Sequence, residues 1–260
     1  MTVDIRHGLD PEPIALPRRF ALLKERLTAG NHASLASSWT QLLAEIQKEV
    51  DLVSCAGSDI IPTIDFADIT SSKSVDGFQT QFRRRGVAVI RNVVPKDTAL
   101  DWGKSLRAYI DTNQNSVTCS APNTEQIHEA YWSPAQVQAR AHPNVLTAQK
   151  FAMGLWKSKG VDDKLSTNFP LSYADRMWVR PQGVRNDRAC ALAYVDGGSV
   201  ERWEEDGYGR AKTYDKIFQG DWQNYDPWDV SNQSVYLTLF FFSFSSISPL
   251  PLTPGSLKDQ

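Results

Sequence analysis

A chain of 260 residues can build one large domain, or one domain with a helical extension. Its composition, 41% hydrophobic and 22% charged with eight Trp and eight Tyr, is that of a globular protein with a sizeable core and excludes bulk disorder. A net charge of -2, with Lys and Arg spread among as many acids, excludes the basic face that neutralises nucleic-acid phosphates.

The start of the chain, MTVDIRHGLDPEP, puts acids and prolines where a signal peptide carries an apolar core. Cys55, Cys119 and Cys190 are widely separated and form no CxxC pair, so neither a disulfide framework nor a structural zinc site is expected. Both features point to a reducing, cytoplasmic setting. The histidines are His7, His32, His128 and His142, and none follows His142.

Two helices are expected first. Phe20, Leu23 and Leu27 recur at helical spacing and Gly30 ends that run. Asn31 is a cap candidate for the next helix, in which Leu35, Trp39, Leu42, Leu43, Ile46 and Val50 form one apolar stripe, read as core packing, with Gly57 as the stop. An extended segment follows around Pro62, because the residue before proline is pushed away from helix. A short helix comes next, with Ser74 as cap candidate and Phe78 and Phe82 on one face. Arg83-Arg84-Arg85 at its end reads as a phosphate clamp or, more simply, as cations suiting the helix dipole. Gly86-Val-Ala-Val-Ile-Arg-Asn-Val-Val94 reads as a strand buried on both faces, stopped by Pro95. A helix over residues 96–111 returns with Leu106 and Ile110 inward.

Ser133 and Pro134 supply a cap and first turn for a further helix, and Pro143 starts another that runs to about Trp156. His128 and His142 flank this unit with no thiol or acid in a metal-like pattern, and read as structural histidines. Residues 173–180 read as a strand, with Asp175, Met177 and Val179 on one face and Arg176, Trp178 and Arg180 on the other. Residues 189–195 read as a second strand. The stretch 201–229 is rich in Trp, Tyr, Gly and Asp with little periodicity, and reads as a functional loop or lid.

Gly86-Val-Ala-Val-Ile-Arg-Asn-Val-Val-Pro95 and the helix after it resemble the entry of iron(II)/2-oxoglutarate-dependent dioxygenases. A longer set of strings is more specific: Tyr131-Trp-Ser-Pro134, Ala141-His-Pro-Asn144, Tyr173-Ala-Asp-Arg176, Val195-Asp-Gly-Gly-Ser-Val-Glu-Arg-Trp-Glu204, Gly207-Tyr-Gly209, Tyr214-Asp-Lys-Ile-Phe218 and Tyr225-Asp-Pro-Trp-Asp229. From about Arg18 to Asn232 these make the chain similar to the YbiU-like family, a domain-of-unknown-function group of fungi and enterobacteria assigned to that dioxygenase fold. The resemblance implies Fe(II) and 2-oxoglutarate as cofactors, held by two histidines and a carboxylate on one face of the metal. The first two ligands of that class form His-x-Asp at a strand end, where a spacing of two points both side chains one way.

Here the matching positions read Tyr194-Val195-Asp196. Asp196 is the implied metal ligand, although an Asp before Gly-Gly also suits a tight turn. Tyr194 stands at the usual histidine, and a phenol with a pKa near 10 is a poor donor to iron(II). Arg176 and Arg180 are candidates to bind a carboxylate substrate or cosubstrate, or to pair with nearby acids on the surface.

Beyond Asn232 the resemblance stops, and residues 234–252 are apolar, rich in Phe and Ser, and interrupted by prolines. Three readings apply: a translated intron, a genuine soluble terminus, or an anchor, though the apolar run is shorter than the ~20 residues of a membrane span. The expected fold is α+β: N-terminal helices over residues 1–70, a partial double-stranded β-helix (jelly roll) over 71–232, and a tail over 233–260. The expected function is a dioxygenase-like oxidoreductase acting on a small molecule of fungal metabolism, with its metal site incomplete. The alternative is an inactive remnant or small-molecule binding module. Neither nucleic acid nor membrane is an expected partner.

Overall fold

The structure, a computed structural model, describes residues 17–71, 73–113, 117–119, 126–128, 130–157, 168–172, 175–179, 203–206 and 213–232. They belong to two compact units, Met1–Gly57 with Asp196–Thr238, and Ser58–Val195 with Leu239–Gln260.

In the first unit, helix α1 (Arg18–Thr28) and the 25-residue helix α2 (His32–Ala56) follow one another across Gly30, whose φ of +77° suits glycine. Asn31 is the residue before α2, as expected, but its side chain makes no capping bond. The region expected to be an aperiodic loop instead holds helix α8 (Asp215–Phe218) and 3-10 turns at Trp222–Asn224 and Val230–Asn232. Polar bonds tie these pieces to the first two helices. Arg19 pairs with Glu204 at 2.9 Å and Arg26 with Glu205 at 3.2 Å. Ser34 Oγ donates to the Gln219 carbonyl and Gln223 Nε2 to Gln41 Oε1, both at 2.9 Å. Trp203 lies between the rings of Tyr214 and Phe218, each 6.4 Å away, and Tyr214 meets Tyr225 edge-on at 5.5 Å.

The apolar stripe of α2 is not the core that its periodicity suggests. Trp39 is 60% exposed and Leu43, Ile46, Val50 and Val53 are between 45% and 52% exposed. The covered side is the adjacent one, where Ser38 is buried and Leu35 and Leu42 are half-buried.

The second unit begins with strand β1 (Thr63–Asp65) and helix α3 (Phe66–Thr70). Asp65 caps α3 by accepting from the Ala67 amide at 2.9 Å, and Asn92 Nδ2 also donates to it. The backbone bond from Ala67, then the Asn92 amide, hold the Asp65 carboxyl below its ordinary pKa. Helix α4 (Asp76–Arg85) is not capped by Ser74: its N-cap is Val75, and Ser74 bonds Asp76 instead. Gly86, at φ +69°, closes its C-terminus. Arg83, Arg84 and Arg85 fill the last turn, and Arg83 Nε donates to the Leu155 carbonyl at 3.0 Å.

Strand β2 is only Val89–Arg91, paired parallel with β1 in the register Ile64↔Ile90. The long strand expected over residues 86–94, buried on both faces, is thus corrected, since Val87 and Val89 are more than 40% exposed. Among the described residues this sheet has two strands, and no third strand pairs with that edge. Helix α5 (Lys96–Thr112) follows, and Trp102 bonds Gln138 at 3.0 Å.

Strands β3 (Val117–Cys119), β4 (Gln126–His128) and β5 (Met177–Val179) make an antiparallel sheet in that order, with His128 opposite Met177. Between β4 and β5 in the chain come α6 (Pro134–Ala141) and α7 (Pro143–Met153), whose prolines at the first turn are those the sequence indicated. The core here includes Ala130, Ala135, Val145, Ala148, Ala152 and Leu155, with Phe78 stacked on Phe151 at 6.2 Å.

The chain is therefore a mixed, helix-rich α and β protein. The described strands do not by themselves make the jelly roll expected over residues 71–232. The expected strand over 189–195 lies outside the described residues.

Gly220 tests the packing of the first unit. Its φ is +82°, and a Cβ there would lie 2.7 Å from the Ser34 backbone carbon. Gly86 has a similar φ but open space around it. Gly220→Ala should cost more than about 2 kcal/mol and Gly86→Ala about 1 kcal/mol. Urea unfolding of both variants checks the order, and equal costs would contradict the close approach.

Candidate functional site

Two of the strings that mark the sequence meet in the second unit. Tyr131-Trp-Ser-Pro134 leads into α6, and Asp175 and Arg176 lead into β5. Their junction is a reciprocal cap. Ser133 is fully buried, and its Oγ accepts from the Gln136 amide at 3.3 Å and lies 2.8 Å from Gln136 Oε1. Gln136 Oε1 also accepts from the Ser133 amide at 3.3 Å. Two amides that the helix leaves unpaired at its start are satisfied within one turn. Gln136 Nε2 is then left to donate to the Asp175 carbonyl at 2.8 Å. One buried amide side chain closes the cap and holds the approach to β5.

A charged layer lies over this junction. Arg140, whose side chain is 16% exposed, pairs with the Asp175 carboxylate and donates to the Tyr131 carbonyl at 2.9 Å. Its guanidinium carbon sits 5.3 Å from the centre of the Trp132 ring, and that ring is 70% exposed. Arg176 is exposed, with its Nε 3.4 Å from the Tyr131 hydroxyl. Tyr131, Trp132, Arg140, Asp175 and Arg176 thus form a polar patch with one exposed aromatic side chain.

His128 lies three residues before Tyr131. It is 2% exposed, and among the described residues neither ring nitrogen has a hydrogen-bond partner. A buried polar atom left unmade costs about 1–3 kcal/mol. His142 differs: its Nδ1 accepts from the Asn144 amide at 3.2 Å as the N-cap of α7, and its ring meets Trp102 edge-on at 5.7 Å. That bond and ring contact give His142 the structural role expected of it.

Of the residues singled out in the sequence, Arg176 enters this patch. Arg180, Tyr194 and Asp196 lie outside the described residues. Among the described residues no group of three His, Cys, Asp or Glu side chains could hold a metal ion. Gln136 and Arg140 were missed, although Ser133 and Gln136 stand at the Ser-x-x-Gln spacing of a capping box. Nothing in the spacing pairs Arg140 with Asp175, which are 35 residues apart.

A family profile, Gig2-like, matches residues 14–237. The chain belongs to the Gig2-like family. It is 30% identical over 198 residues to YbiU of Escherichia coli strain K12, covering 72% of this chain and 46% of that protein. The solved structure of GlcNAc Inducible Gene 2, GIG2, from Candida albicans is similar with a TM-score of 0.69 and 28% identity, over 85% of this chain and 47% of GIG2. A Salmonella typhimurium LT2 protein, provisionally named an oxidoreductase, shares the fold alone, with a TM-score of 0.64 and 24% identity, over 83% of this chain and 53% of its own. The chain spans about half the length of these relatives.

His128→Leu should be neutral or stabilise the second unit by up to about 1 kcal/mol, because it replaces two unpartnered buried nitrogens by a similar apolar volume. Urea unfolding checks this, and a loss above about 2 kcal/mol would show that the imidazole has a polar role in the folded protein.

Proposed function

We propose that this chain is a dioxygenase-like oxidoreductase chain of the Gig2-like family, taking a small-molecule substrate whose carboxylate or other anionic group meets Arg176 and Arg180. In this reading residues 71–232 contribute to a double-stranded β-helix, and iron(II) and 2-oxoglutarate are the cofactors of the full site. The observation that carries the reading is the run Tyr194-Val195-Asp196-Gly-Gly, which keeps the carboxylate of His-x-Asp at its place in the family string.

The donor set of this chain does not fit the metal. Tyr194 offers a phenol where imidazole suits iron(II). His142 Nδ1 is engaged in capping α7, and no histidine follows it in the chain. Asp196 is the remaining ligand of the motif, and no chemical step is drawn through a bound ion. Tyr194 favours a second reading as well, in which the chain binds a small molecule without turnover, as the inactive remnant or binding module of such an enzyme.

Anaerobic calorimetric titration with iron(II) tests the donor set. The expected result is no stoichiometric site tighter than about micromolar, or roughly -8 kcal/mol. Tyr194→His alone should not release succinate from 2-oxoglutarate above a no-protein control. A tight site in the unaltered chain, or turnover by the single variant, would contradict this account of the ligands.

A further inference from the structure

Helix α2 carries two apolar surfaces. The covered one runs through Leu35, Ser38 and Leu42, where Ser34 and Gln41 also bond residues 219 and 223. The other runs through Trp39, Leu43, Ile46, Val50 and Val53, in alternating steps of four and three residues along about 21 Å of helix axis. All five are at least 45% exposed. The two surfaces lie side by side, about 100° apart around the axis. A helix with this arc of apolar side chains is built to lie between two layers, and within the first unit the described residues cover one of its two faces.

We infer that the Trp39–Leu43–Ile46–Val50–Val53 face of α2 is the docking surface for the part of the Gig2-like fold that this chain does not span. The solved GIG2 structure matches 85% of this chain with 47% of its own. The same fold is therefore set within a molecule of about twice the length. The chemistry of the face fits such an apolar, permanent neighbour. On one flank the residues bordering it, Thr40, Gln47 and Ser54, are uncharged, and Glu49 lies on the other flank.

A lipid surface is not favoured. Membrane-surface helices are rich in Lys and Arg on their polar face, and Lys48, the sole cation of α2, pairs with Glu45 at 2.6 Å. Self-association is not favoured either. Five half-exposed side chains present on the order of 400 Å², against roughly 800 Å² per partner in a stable dimer.

The test co-expresses this full chain with the part of Escherichia coli YbiU outside the matched 198 residues, as a separate polypeptide. Sedimentation velocity should show a one-to-one complex. L43E/V50E should weaken it at least tenfold while leaving the helical circular dichroism of the chain alone unchanged. L43A/V50A should weaken it less. Absence of a complex, a complex indifferent to these substitutions, or self-association of the chain that the same substitutions remove would each overturn the inference.

Discussion

The side chain of Gln136 is the constraint on which the second unit depends. Its oxygen closes the cap of α6 on Ser133, and its nitrogen holds the carbonyl of Asp175. Gln136 is a buried side chain and its bond to Asp175 is partly buried, so solvent replaces either bond poorly. The position of Asp175 follows from this bond, and with it the ion pair to Arg140 and the place of Arg176 beside Tyr131. The patch proposed to meet a substrate is thus set by a buried amide that touches no ligand. His128, on the neighbouring strand, shows the opposite condition, being buried with no partner for either nitrogen among the described residues.

The first unit is held differently. Its long helix and the segments after residue 200 meet through ion pairs, backbone carbonyls and an aromatic cluster of Trp203, Tyr214, Phe218 and Tyr225. Three of the strings that mark the family converge there. Tyr214 takes a left-handed backbone conformation, φ +65°, to begin α8. A tyrosine accepts that geometry only where packing enforces it. The Gly220 approach to Ser34 is part of the same closure.

Local rules carried at glycine and proline positions and less well at the cap candidates Asn31 and Ser74. Gly30 and Gly57 bound α2 because both need positive φ, and Ser133 with Pro134 opened α6 as capping chemistry requires. Periodicity gave the apolar stripe of α2, but periodicity cannot say which protein layer lies against it, and of the stripe read as core Leu35 and Leu42 are half-buried while Trp39, Leu43, Ile46 and Val50 are exposed. The apolar run after Gly86 promised a long buried strand. Only three residues pair, because partner strands are a tertiary property. Residues 201–229 lack periodicity, yet short helical turns form where aromatic contacts close over them. In the site, Arg176 was legible from strand alternation, and the family strings drew attention to Tyr131 and Ser133. The Arg140–Asp175 pair was not, since charge pairing across 35 residues leaves no mark in spacing.

Hydrogen exchange on Gln136→Ala measures the central dependence directly. If one amide side chain joins cap and strand, exchange should rise at least tenfold in the first turn of α6 and in Met177–Val179 together. Mass-spectrometric exchange that rises in α6 alone, with Met177–Val179 unchanged, would contradict the dependence of the Asp175–Arg176 approach on Gln136.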